Sequence, residues 1–196
     1  ASQGNDVEAE KYLEVLPAKY QIFKTLQRPL LSCFFKKNDT EAGFEKFINS
    51  ESLNFARYRY LYINYLVRNK KFDKAAMVIE DAKNQYENNL LVKQTFKDFK
   101  DKKFSKIKNT FNCKMLDHNL SEVFYIMSAI FAEDEENYKL SNFYLNLSKY
   151  LNKDFHAFDT LMAENFYNID DLVNSTKIYE SLEEYGSAFK WFSNKQ

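Results

Sequence analysis

The chain has 196 residues, 45% of them apolar and 17% aromatic, and its 28 basic and 28 acidic side chains cancel. That is enough apolar material for one packed domain. Three glycines and two prolines are too few for the tight turns of a sheet-rich fold, so the composition argues for helices joined by short polar loops.

Lys outnumbers Arg 24 to 4 and Asn occurs 20 times, a bias that A/T-rich codons produce. A Lys-rich or Asn-rich stretch is therefore a weak functional signal here. Cys33 and Cys113 stand eighty residues apart with no Cys-x-x-Cys spacing, which indicates neither a disulfide framework nor a zinc site. Both are expected to be small buried residues. The tightest apolar cluster, "VFYIM" at 123–127, falls far short of the about 18 residues of a membrane span. "ASQGNDVEAEKY" at the start has no basic segment followed by an apolar one, so no export signal is expected within the chain. Cytoplasmic and periplasmic settings both stay open.

In chain order, residues 5–16 read as the second helix of a pair whose first helix is missing. A helix over 20–36 follows, with Pro29 predicting a kink or a fresh start inside it. "RYRYLYINYLVR" (57–68) precedes "NKKFD" and the helix "KAAMVIEDAKNQY". Residues 90–100 precede "DKK" and a short helix from Phe104, and 112–120 read as an irregular connection. Helices over 121–133 and 138–151, then 156–167 and 171–182, complete the pattern, and 188–196 start one more. Ser121, Glu122 and Asp171 are placed near helix starts, as acceptors for free amides. The loops "RNKKFD", "DKKF", "EDEENY" and "NIDDL" are short and polar, as paired helices require.

These pairs repeat. Laying "YKLSNFYLNLSKYLNKDFHAF" (138–158) over "LVNSTKIYESLEEYGSAFKWF" (172–192) aligns Ser141 with Ser175, Leu145 with Tyr179, Phe155 with Phe189 and Phe158 with Phe192, an offset of 34. Stepping back from Tyr179 and Leu145 gives Phe111, Ile79, Phe47 and Leu13, all large and apolar, at spacings of 34, 32, 32 and 34. Four residues before each lie Ser175, Ser141, Ile107, Ala75, Gly43 and Ala9, and five of the six are small. A small residue lets the neighbouring helix approach, while the large one fills the gap beside it.

A two-helix unit of 34 residues with a small residue and then an aromatic in its second helix resembles the tetratricopeptide repeat (TPR). The span 155–188 carries the resemblance best, with Met162 and Ala163 at the family's Leu-Gly pair, Phe166 at its aromatic, and Ser175 and Tyr179 at its Ala and Phe/Tyr. Leu182 and Ser187 take the closing Ala and Pro positions, and Asp159 replaces the early Trp. "LQRPLL", "SEVFYIMSAIFAED" and "NFYLNLSKYLNKDF" are similar more narrowly to a divergent family of longer bacterial, alphaproteobacterial repeat proteins. The fold expected is all-α: a right-handed α-α superhelix, or solenoid, of antiparallel helix pairs. Its units fall at about 20–50, 56–87, 88–118, 121–153 and 155–187. Neither end carries a polar capping unit, so a segment of a longer solenoid is expected.

The sequence offers little chemistry. There is no glycine-rich phosphate loop, nucleophile elbow or triad. His118 and His156 stand alone, and "EDEENY" lacks the alternating ligands and Gly of a calcium loop, so it reads as a solvated turn. No metal, cofactor or enzymatic activity is expected. Charge is more informative: residues 1–114 hold 22 Lys and Arg against 14 Asp and Glu, a net +8, and 115–196 hold 6 against 14, a net −8. Such a dipolar chain steers charged partners. Lys97, Lys100, Lys102 and Lys103 interleave with Phe96, Phe99 and Phe104, a pattern that can track single strands, but the phenylalanines are needed for packing and Arg is nearly absent. Nucleic acid is not the expected partner.

The resemblance implies a concave face lined by the first helices that holds a peptide or helix of a partner protein. Its groove positions fall on Arg28, Ser32, Phe35, Arg57, Tyr60, Asn64, Arg68, Phe96, Lys100, Ile126, Ile130, Glu133, Glu164 and Tyr167. The family's carboxylate clamp has only Tyr60 with Asn64 to match it. The rival expectation is a scaffold segment that self-associates through its ends or packs on the rest of a larger protein.

Overall fold

The computed structural model describes residues 5–49 and 55–193. Residues 194–196, the tail of the last expected helix, and residue 50, which closes the first expected unit, lie outside them. Twelve α-helices and no strand occur among the described residues. After α1 (Asp6–Glu14) come α2 (Gln21–Phe34) with α3 (Thr40–Ile48), α4 (Ala56–Arg68) with α5 (Phe72–Gln85), and α6 (Leu90–Lys100) with α7 (Phe104–Thr110). Then follow α8 (Leu116–Phe131) with α9 (Tyr138–Leu151), α10 (Ala157–Asn168) with α11 (Leu172–Leu182), and α12 (Ser187–Ser193). No described helix is long and apolar enough to cross a membrane.

Four of the five pairs turn in the same way. Lys36, Lys70, Lys102 and Asp170, each two residues past the first helix of its pair, take φ values of 57°, 61°, 56° and 59°. The next amide in each case donates back over five residues. Lys37 N–H reaches Ser32 O at 2.8 Å, Lys71 reaches Leu66 O at 2.9 Å, Lys103 reaches Asp98 O at 2.7 Å, and Asp171 reaches Phe166 O at 2.9 Å. This left-handed cap satisfies the last free carbonyls of the helix and reverses the chain within three residues. The α8–α9 turn differs. It spans "EDEENY", where Asp134 accepts from Asn137 Nδ2 at 2.9 Å and from the Glu136 amide at 3.2 Å.

The 32–34-residue ruler lands on the interior. Phe47, Ile79, Phe111, Leu145 and Tyr179 are buried, as are Ala75, Ile107, Ser141 and Ser175, whereas Leu13 and Ala9 on α1 are partly exposed. Gly43 faces Pro29 closely enough that a Cβ on it would meet the Pro29 Cβ at 3.2 Å, which is why a side chain is missing there. Pro29 does not restart a helix: α2 runs through it from Gln21 to Phe34. One boundary differs from expectation. Residues 116–120, read as irregular, form the first turn of α8, because Leu116 and Leu120 extend its apolar face and His118 Nδ1 accepts the Asn112 amide at 3.0 Å. Ser121 and Glu122 are consequently mid-helix and cap nothing, while Asp171 does cap α11, accepting from the Asn174 amide at 3.2 Å.

Successive helices pack in order as far as α7. There the order breaks: α7 folds back onto α4, α8 packs on α2, and α12 returns to α6. The molecule thus has two halves, α1–α7 and α8–α12, laid against each other, and the sign of the net charge changes at their junction. One apolar core runs from Leu26 of α2 to Met162 of α10, with a smaller cluster of Ala163, Tyr179, Leu182 and Phe189 beside it. A covalent link closes the junction. Cys33 at the end of α2 and Cys113 in the α7–α8 connection are disulfide-bonded, with Cα atoms 5.7 Å apart. The wide sequence spacing argued against a disulfide, but packing of α8 on α2 brings the two together.

Candidate functional site

Three of the chain's four arginines lie on α4, and each uses its planar fork to hold another helix. Arg57 donates from Nε to Glu122 Oε2 of α8 at 2.8 Å and from Nη2 to Oε1. Its guanidinium carbon sits 3.6 Å from the Tyr125 ring centre, 4.2 Å from that of Phe155 and 4.7 Å from that of Phe158. Burial opposes the Arg57 charge, but the Glu122 carboxylate outweighs it and holds the pKa above its ordinary value. Arg59 reaches Asp81, the Ile48 carbonyl at 3.1 Å and Gln85 Oε1 at 2.9 Å, fastening α5 and the end of α3. Arg68 donates to the Lys108 carbonyl and to that of Phe111 at 2.8 Å, and Asn64 Nδ2 donates to Ile107 O, so α7 is tied down by the same helix.

Between the halves runs a trough. Its larger cleft, about 600 Å³, has Tyr60, Ile107 and Phe155 as floor, Leu91, Gln94 and Asp98 of α6 as one wall, and Lys106, Asp154 and Glu184 at the rim. A smaller cleft of about 230 Å³, lined by Arg57, Tyr125, Thr160 and Glu164, continues it. Phe189 of α12 borders both, itself buried. α12 is seated by α6: Gln94 Oε1 accepts the Ala188 amide at 3.1 Å, and Lys97 Nζ reaches Ser187 Oγ at 2.6 Å. Gly186 takes φ 145° just before it, and a Cβ there would strike the Gln94 side chain at 2.2 Å. Gln94 Nε2 also donates to the buried Asp98 carboxylate at 3.0 Å.

Burial tunes the polar groups of the larger cleft. It pushes the Tyr60 phenol up to about 12, although Thr110 shares a hydrogen bond with it. It lowers both histidines, disfavouring their charged forms. His156 stacks on Tyr185 with ring centres 3.4 Å apart and planes 9° from parallel. Its Nδ1 is buried without a hydrogen-bond partner, as is Arg68 Nε. Burial also holds the Glu164 carboxyl above the usual range. No group of three or more metal-ligating side chains occurs among the described residues.

Of the fourteen residues assigned to a groove, Arg57, Tyr60, Arg68 and Glu164 line the trough. Asn64 and Ser32 are buried, and Ile126 packs against the core. Arg28 is exposed and pairs with Glu14, and Phe35 meets the edge of Phe34 at 5.1 Å. The ammonium groups of Lys83 and Lys100 each lie 4.4 Å from the ring centre of Phe96. Ile130, Glu133 and Tyr167 face solvent away from the clefts. Sequence reasoning missed Glu122, Gln94, Asp98, His118, His156, Tyr185 and Phe189. One signal was present: a carboxylate abutting "VFYIM" needs a buried cation, and arginine concentrated in one helix of a lysine-biased chain supplies it.

The fold and its trough define an all-helical protein built from similarly turned helix pairs. No known protein family, curated protein or solved structure matches the chain.

Proposed function

We propose that this chain is a non-catalytic interaction module that holds a short helical or extended segment of a partner protein in the trough between its halves. The seating of α12 carries the reading: a short helix already lies there, gripped through a backbone amide by Gln94 and by one inserted ring, Phe189. The clefts on either side of that ring leave room for further side chains. Lys106, Asp154 and Glu184 at the rim suit a segment carrying both charges. The resemblance to TPR proteins, which rests on the repeating sequence of the helix pairs, brings with it a role in binding and a bacterial origin.

A photo-crosslinking amino acid placed at Lys106 or Glu184 is expected to capture the partner, and the exposed Met77 on α5 is not. Equal capture from Met77 would sink the assignment of the trough. Charge reversal at Lys106 and Glu184 together is expected to weaken capture about tenfold, since each rim charge influences encounter more than fold.

The scaffold reading has its own observation. A cleft of about 420 Å³ between α1, α2 and α8 is lined almost wholly by apolar groups, including the exposed Tyr12 and Leu120. A sedimentation coefficient that rises with protein concentration, and that Leu120→Lys abolishes, would favour self-association through this face.

A further inference from the structure

Cys33 and Cys113 are the only cysteines in the chain, and they are paired with each other. Their residues are 2% and 3% exposed, so no external thiol reaches the bond in the folded protein. The bond joins the last turn of α2 to the connection where the chain passes from its basic to its acidic half. That connection is held from three further sides. Asn119 Nδ2 donates to the Cys113 carbonyl at 2.8 Å, Asn152 Nδ2 to the Thr110 carbonyl at 3.0 Å, and the Asn112 amide to His118 at 3.0 Å. A buried bond in so heavily fastened a place is a structural one, unlike the exposed, labile bonds used for redox signalling.

We infer that Cys33 and Cys113 are a site of oxidative modification that clamps the two halves together, and that the chain matures in an oxidising compartment outside the reducing cytoplasm. Structural disulfides persist where thiols are not kept reduced, and they are rare in the cytosol. The oxidant is a protein disulfide of the kind such compartments supply. One cysteine thiolate attacks that disulfide, forming a mixed disulfide and releasing one oxidant thiolate. The second cysteine, having lost its proton, then attacks the first cysteine's sulfur. The new bond forms, and the oxidant leaves as a dithiol that carries the two electrons and the two protons the cysteines gave up. Burial of both sulfurs places this exchange before the halves close.

Thiol trapping reads the first half of the inference. Source cells are quenched in acid, alkylated with a maleimide and analysed by intact mass with and without prior reduction. No alkylated thiol before reduction, and two after it, is the expected result. Alkylation of both thiols in most molecules without reduction would overturn the oxidising compartment. The clamp is read by thermal unfolding of the full chain. C33S/C113S is expected to melt roughly 10 °C below the oxidised protein, because the bond closes a long loop. An unchanged melting temperature would overturn the clamp. If the variant does not fold, the unaltered chain reduced in denaturant and refolded with dithiothreitol present supplies the same comparison.

Discussion

Arg57 and Glu122 form the residue-scale centre of the molecule, a bidentate pair enclosed by Tyr125, Phe155 and Phe158. Removing one member leaves the other charge buried and alone, so Glu122→Leu is expected to cost about 3–5 kcal/mol in urea unfolding. Replacing both, as Arg57→Met with Glu122→Leu, should return much of that loss, since neither charge then needs a partner. The histidines set the acid response. Burial lowers the folded pKa of His118 and His156 below the ordinary 6.5, so the unfolded chain binds their protons first. Their contribution to stability is complete above 6.5 and is lost as pH falls from there through the lowered folded values. Subtracting the stability profile of His118→Gln/His156→Gln from that of the unaltered chain between pH 7.5 and 5 isolates the effect; a flat difference would contradict it. Glu164 acts in the opposite sense in its own range, because burial raises its pKa and protonation favours the folded state. The subtraction removes that contribution.

At the scale of elements, the recurring turn explains why the helix pairs read so clearly from sequence. Each reversal needs one left-handed residue, and here Lys or Asp fills it where glycine is the easiest occupant. Lys70→Gly is expected to raise stability by about 0.5–1 kcal/mol, and Lys70→Val to lower it by a similar amount or more. Melting curves of the two variants check the sign. The 32–34-residue ruler is legible for the same reason: Phe47, Ile79, Leu145 and Tyr179 are buried at the same place in successive pairs. Leu13 shows where that locality ends. It has the right spacing, but α1 packs mainly on α2 beside an open cleft, and it stays partly exposed.

At the scale of the whole molecule, the return of α8 onto α2 and of α12 onto α6 decides what is groove and what is core. Arg57, Tyr60, Asn64 and Arg68 have the positions of groove residues along α4, yet three of them are buried, Arg57 holds α8, and the other three hold α7. The +8 and −8 halves, expected to steer an outside partner, also face each other, and their contact buries an ion pair. α12 is the lightest part of this closure. Gln94→Ala removes the acceptor of the Ala188 amide and is expected to speed amide exchange at 188–190 while leaving α4 unchanged. Equal protection in both proteins would show that Phe189 and the Lys97–Ser187 contact hold the helix without Gln94.

The sequence by itself determined the helical class, the pairing of successive helices and most of the residues each pair buries. Those features rest on 3.6-residue periodicity and on turns closed by hydrogen bonds within six residues, all of which lie within one stretch of chain. Tertiary structure alone decided the meeting of Cys33 with Cys113, of Arg57 with Glu122, and of Phe189 with the trough. These partners lie 80 and 65 residues apart, or face α6 across more than 90. No periodicity links them. They come together because the second half buries its apolar face and its carboxylate against the first, a choice made by the packing of whole helices.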